Sequence, residues 1–308
     1  MTTAFAALRP PPAAEQRTLL GDEAFLRALE QLAMLVRRVT RPGLNGEHRG
    51  LTRSNSAEFA DYRAYALGDD FRRIDWNVYG RTGALFVRLS EAREDVGIHL
   101  LLDTSRSMDF GQPNKLAYAK RLVAALGYLA LSRLDRVTAA TLTYAVGSRL
   151  GPLRGKDRIH RLLALLDATS AAGTTDLNAA LRRYAEAGQP AGLVILISDL
   201  LSPAGFRAGL ERVRAARLEA VVLQVLAPQE LDPEAAGDVE LVDHETGEIV
   251  EVTLTEGVVE AYRRRLATWG AEIERICTDL GIAYHRVSTA TPIERLVVTE
   301  LRERRILL

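Results

Sequence analysis

The sequence predicts an α/β fold, a doubly wound and mostly parallel sheet with helices on both faces, and three observations carry that expectation. Two apolar runs without alternation, Val96–Leu102 and Gly192–Ser198, have the composition of central strands buried on both faces. From Val96 onward strand-like and helix-like segments alternate, the pattern of parallel strands joined by crossover helices. The chain has 308 residues, of which 47% are hydrophobic, enough for a sizeable core and for two domains or one elaborated α/β domain.

Residues 1–20, with Pro10-Pro11-Pro12, read as a flexible tail and not as a signal peptide. Asp22 reads as the N-cap of a helix to about Thr40, stopped by Arg41-Pro42-Gly43. Phe25, Leu29, Leu32, Val36 and Val39 form one apolar stripe on it, opposite Arg27, Gln31, Arg37 and Arg38. A helix packed on its own domain is the expected reading; a membrane-surface helix is the alternative. Residues 43–60 are loop-like, and Glu58 to Trp76 is dense in charge of both signs. Asp69, Asp70, Arg72, Arg73 and Asp75 are expected to form a surface ion-pair network, with Phe71 and Trp76 as anchors, and Thr82–Leu89 looks like a strand.

The first core strand then ends at Asp103, followed by a helix over about 115–134, a strand over 136–145 and a short edge strand near 148–150. Helices are expected over about 157–168 and 176–187, a strand to Asp199, a helix over about 204–216 and a strand over 218–226. Residues 238–254 alternate around Thr246-Gly247 and read as an added β-hairpin. A helix over about 256–280, a strand over 283–287 and a helix over about 292–305 complete the chain. The expected organisation is a tail (1–20), an N-terminal segment (21–91) and an α/β domain (92–308).

Composition excludes several functions. Forty basic and forty acidic residues leave a formal charge of zero, so bulk charge does not favour nucleic acid. The single Cys277 excludes an intrachain disulfide and a multi-cysteine zinc site, in keeping with a reducing cytoplasm. No apolar stretch reaches membrane-spanning length. The five histidines have no ligand spacing, and His99, inside a core strand, reads as a satisfied core residue. Gly151 to Asp157 has three residues between its glycines where a phosphate loop needs four.

Three separated pieces point to a metal. Asp103-Thr104-Ser105-Arg106-Ser107 follows the first apolar run, Asp199 closes the second, and Thr175 lies in Gly173-Thr174-Thr175-Asp176 between them. Both carboxylates are delivered to the C-terminal edge of one sheet, where open α/β folds bind ligands. Two carboxylates with the hydroxyls of Ser105, Ser107 and Thr175 make an all-oxygen set suited to a hard dication such as Mg2+, with Mn2+ or Ca2+ as substitutes. The constellation resembles the metal-ion-dependent adhesion site of von Willebrand factor A domains, whose fold is a Rossmann-like doubly wound sheet. Thr175 is the better match to the ligand threonine, Thr174 being the alternative register. Leu200 stands where many members have glycine. The resemblance implies metal-gated protein binding, in which an acidic side chain of the partner completes the coordination, and not catalysis.

Glu58-Phe59, Arg63-Ala64-Tyr65, Gly68-Asp69-Asp70, Arg73-Ile74-Asp75-Trp76 and Arg81-Thr82-Gly83 resemble the signature of the domain of unknown function 58 family. That resemblance implies a MoxR-type AAA+ ATPase as partner and an adaptor or co-chaperone role; an ATPase-facing surface is the alternative to the ion-pair reading of the charged segment. The enzymatic alternative is a metal-dependent hydrolase, a phosphoesterase or nuclease, using Asp103 and Asp199. Ser105 occupies the position where a haloacid dehalogenase phosphatase carries its second aspartate, which counts against it.

Overall fold

The computed structural model describes residues 18–19, 21–39, 61–66, 69, 71, 74–89, 97–233, 237–242 and 249–303. The expected tail (apart from Thr18 and Leu19), the loop at 43–60, and Glu58, Phe59, Gly68, Asp70, Arg72 and Arg73 of the charged segment lie outside these. The described residues form two compact units. Helix α1 (Glu23–Val39) belongs to the same unit as everything from Gly97 onward; the second unit lies within residues 61–89.

In the smaller unit, strand β1 (Asp61–Ala64) pairs antiparallel with β2 (Phe86–Leu89). Ile74 bridges to Val87, and both are buried. The strand expected over 82–89 is only its second half: a short helix, α2 (Trp76–Thr82), ends at Thr82, and the turn that begins at Gly83 takes up residues 83–85. Asp75 Oδ1 caps it by accepting from the Asn77 and Val78 N–H groups at 3.0 and 3.3 Å, and Gly83 stops it at φ +68°. Phe71 and Trp76, expected as anchors, are mostly exposed.

The larger unit is built on six strands: β3 (Gly97–Asp103), β4 (Arg136–Leu142), β5 (Val146–Leu153), β6 (Gly192–Ser198), β7 (Glu219–Leu226) and β10 (Ala283–Ser288). Their order is β10-β7-β6-β3-β4-β5, parallel throughout except for the antiparallel edge strand β5. The hairpin β8 (Gly237–Val242) and β9 (Ile249–Leu254) forms a two-stranded sheet of its own among the described residues.

Strand residues alternate between two cores, which is why the runs carry no polar alternation. Leu100, Leu102, Ile195 and Ile197 face one core with α1, α3 (Lys115–Ser132) and α4 (Ile159–Asp167). Leu101, Val194 and Leu196 face the other with α5 (Leu177–Glu186), α6 (Arg207–Ala215) and α8 (Glu256–Asp279). Phe25, Leu29 and Leu32 of α1 are buried in the first core, and Arg121 of α3 stacks over the Phe25 ring at 5.0 Å. His99 is a satisfied core residue: its ring nitrogens lie 2.8 Å from the Tyr184 hydroxyl and 3.1 Å from the Pro190 carbonyl. No helix among the described residues is long and apolar enough to cross a membrane.

Close packing of α3 on α4 depends on Gly127. An added Cβ there would sit 2.3 Å from Leu162 Cδ2 and 3.3 Å from Leu100 Cδ1, both on fully buried side chains. Gly127→Ala is expected to lower the urea midpoint, because overpacking costs about 1–3 kcal/mol and outweighs roughly 1 kcal/mol of helix propensity gained. A raised midpoint would mean that the α3–α4 contact relaxes freely.

Candidate metal centre

Strand order reverses between β6 and β3, so the loops that leave their C-terminal ends diverge and open a crevice. Asp103 is the last residue of β3, and Asp199 follows the last residue of β6; both are fully buried. The first loop turns at once into a short 3-10 turn, Arg106–Met108. That turn brings the Ser105 and Ser107 hydroxyls to 3.0 Å of each other. Asp103 Oδ1 accepts from the Ser105 N–H at 3.0 Å, which fixes the start of the turn.

The third piece is tied to the first through main chain. Arg106 N–H donates to the Gly173 carbonyl at 3.1 Å and Ala172 N–H to the Thr104 carbonyl at 2.8 Å. Gly173 takes φ +71°, a conformation that reverses the loop at no side-chain cost. Asp176 then N-caps α5. Between them Thr175 is buried and its hydroxyl donates to Asp103 Oδ1 at 3.3 Å, while Thr174 is exposed. The structure therefore places the second threonine, not the first, at the aspartate.

After Asp199 the chain bends through Leu200 at φ +63°, the left-handed region that a glycine would adopt freely. The loop thus keeps a glycine-like course with a leucine, and the side chain is buried at 2% exposure in the second core. Burial of that side chain offsets backbone strain of about 1–2 kcal/mol.

Several partners were not foreseen from the sequence. Ser198 Oγ donates to Asp103 Oδ2 at 2.6 Å. Lys115, at the first position of α3 and fully buried, places Nζ 2.8 Å from Asp199 Oδ2 and 2.6 Å from Glu230 Oε1. Glu230 lies in a short helix, α7 (Pro228–Leu231), and its other oxygen accepts from the Ala227 N–H at 2.7 Å. The Gln224 amide donates to the Asp199 carbonyl at 3.2 Å. A sequence signal for Lys115 exists: a cation in the first turn of a helix opposes the helix dipole and needs a compensating partner.

Electrostatics follow from this burial. Desolvation, and then the nearby Asp199 charge, push the Asp103 carboxyl up from its ordinary 3.8 to about 6, against the pull of the Ser198 and Ser105 hydrogen bonds. Burial alone would depress the Lys115 ammonium, but the charges of Asp199 and Glu230 outweigh it and hold it above its ordinary value. Three buried carboxylates thus stand against one buried ammonium. When all are ionised, two negative charges are uncompensated beneath a rim of three hydroxyls, a donor set that fits a hard dication.

A family model for DUF58, described as a protein of unknown function, matches residues 61–272. Uncharacterized proteins of Mycobacterium bovis and Mycobacterium tuberculosis are each 29% identical over 267 residues, spanning 85% of this chain and 84% of theirs. Among solved structures, the conserved hypothetical protein BatB of Bacteroides thetaiotaomicron matches with a TM-score of 0.42 at 19% identity, over 69% of this chain and all of that one. The manganese-loaded TRAP protein of Plasmodium vivax matches with a TM-score of 0.34 at 22% identity, over 42% of this chain and 57% of that one.

Proposed function

This chain belongs to the DUF58 family of proteins of unknown function, and on that premise we propose that it is a non-catalytic, Mg2+-dependent protein-interaction module. The observation that carries the reading is three buried carboxyl groups set against one buried ammonium at the β3–β6 crevice, an excess of two negative charges when all are ionised. A divalent cation neutralises that excess, with Asp103 supplying charge and Ser105, Ser107 and Thr175 neutral oxygens. Asp199 has both carboxylate oxygens engaged, Oδ1 by the Leu201 N–H at 3.0 Å and Oδ2 by Lys115, so its contribution is chiefly charge. An ion held mainly by neutral oxygens stays electron-poor and favours one further carboxylate, supplied by an acidic side chain of a partner. The partner in this reading is a MoxR-type AAA+ ATPase or its client, for which the chain acts as adaptor; the support for that identity is the family resemblance of the 58–83 signature. A cytoplasmic location belongs to the same reading, since the lone Cys277 is a buried thiol.

Thermal unfolding of the wild type in EDTA, Mg2+ and Mn2+ tests the metal. Binding to the folded state at 100 times the dissociation constant contributes about 2.7 kcal/mol. For a unit of about 200 residues the midpoint should rise by roughly 5–11 °C. No rise at tens of millimolar metal would count against the site. Metal-dependent phosphoester turnover lost in Asp103→Ala would favour a hydrolase instead.

A further inference from the structure

Lys115 has no place in the metal constellation, yet it is the most deeply buried charge beside it. Its surroundings are built: Asp199 Oδ2 at 2.8 Å, Glu230 Oε1 at 2.6 Å and the Phe110 ring centroid at 5.7 Å. Glu230 is itself held in place, by the Ala227 N–H on its second oxygen and by the Tyr262 hydroxyl, which donates to its carbonyl at 2.6 Å. A fully desolvated ammonium at the positive end of a helix is unfavourable on both counts. Simple stability would be served as well by an apolar side chain in place of the pair.

We propose that Lys115, held by Glu230, is a positioning residue that sets the metal affinity of the Asp103–Asp199 site. It orients Asp199 and offsets part of its charge, so the site holds a dication loosely and leaves it short of one anionic ligand. Glu230 acts in the opposite sense: it adds negative charge to the cluster and draws Lys115 away from complete neutralisation of Asp199. This inference rests on the metal reading above.

Opposed signs make it testable. Mn2+ binding to the full chain, without partner, is titrated by the loss of the free-ion paramagnetic resonance signal. Lys115→Met is expected to tighten Mn2+ about tenfold or more, and Glu230→Gln to weaken it about tenfold, because a unit charge near a dication in a poorly screened site acts strongly. The double variant Lys115→Met/Glu230→Gln should fall between the two. A merely structural ion pair would weaken binding in both single variants, and that result, or no change in either, overturns the proposal while leaving the metal site intact. If Lys115→Met does not fold, Lys115→Gln, which removes the charge but keeps a donor for Asp199 and Glu230, takes its place in the titration, tighter Mn2+ binding supporting the proposal and unchanged or weaker binding overturning it. Failure of the wild type to bind Mn2+ at millimolar concentration overturns it together with the metal reading.

Discussion

An Asp103→Asn chain is expected to unfold at the same temperature in EDTA and in saturating Mg2+, whereas the wild type should gain roughly 5–11 °C. Asparagine keeps the shape of the side chain and one carbonyl-type oxygen to accept from the Ser105 N–H and the Thr175 hydroxyl, at 3.0 and 3.3 Å in the wild type. Its amide can donate to Ser198 Oγ where the carboxylate accepted at 2.6 Å. The fold of the loop is thus conserved while the charge is removed, and the metal loses one of the carboxylates facing it. Without metal the variant should be no less stable than the wild type near neutral pH, because a desolvated charge beside Asp199 has been neutralised. A metal response in Asp103→Asn equal to that of the wild type would show that the cation binds elsewhere.

What was legible in the sequence depended on how local its cause is. Each central strand declared itself because burial on both faces removes polar alternation, as in Val194–Ile197. Helices α1, α3, α5 and α8 began at a side-chain cap, Asp22, Asn114, Asp176 and Thr255, which is local in sequence. Helix α2 was missed although Asp75 and Gly83 bracket it, because Val78, Gly80 and Thr82 are poor helix formers and the following Phe86–Leu89 is a true strand. At the site, the carboxylates and hydroxyls were legible as motif residues, Thr175 ahead of Thr174, and the turn at Gly173 is what the structure adds to that preference. Lys115 and Glu230 were not legible as a pair: they are 115 residues apart, and only the tertiary fold brings the first residue of α3 within 2.6 Å of the Glu230 carboxylate in α7. The left-handed Leu200 was legible only as a departure from glycine, since nothing local says whether a loop or a side chain gives way.

Without metal, the wild type should lose stability relative to Asp103→Asn as pH rises. The folded-state pKa of Asp103 is raised, about 6 against an ordinary 3.8, so in that window the folded chain binds a proton that the unfolded chain has released. Stability from this group is therefore fully present below about pH 4 and is lost as pH passes through 6, levelling off above 7. The difference of about two pKa units corresponds to about 3 kcal/mol. Urea midpoints in EDTA from pH 4.5 to 8, taken as wild type minus Asp103→Asn, read this directly, and a flat or rising difference would contradict the burial of an ionisable Asp103. Metal reverses the sign. Mg2+ needs the carboxylate ionised and so competes with the proton, and its apparent affinity should fall roughly tenfold for each pH unit below 6. The rise in unfolding temperature with a fixed, sub-saturating Mg2+ concentration should accordingly grow between pH 5 and 7. A rise independent of pH over that range would mean that the cation displaces no proton from Asp103, and the carboxylate would then owe its place at the β3 edge to the Ser105, Thr175 and Ser198 hydrogen bonds alone.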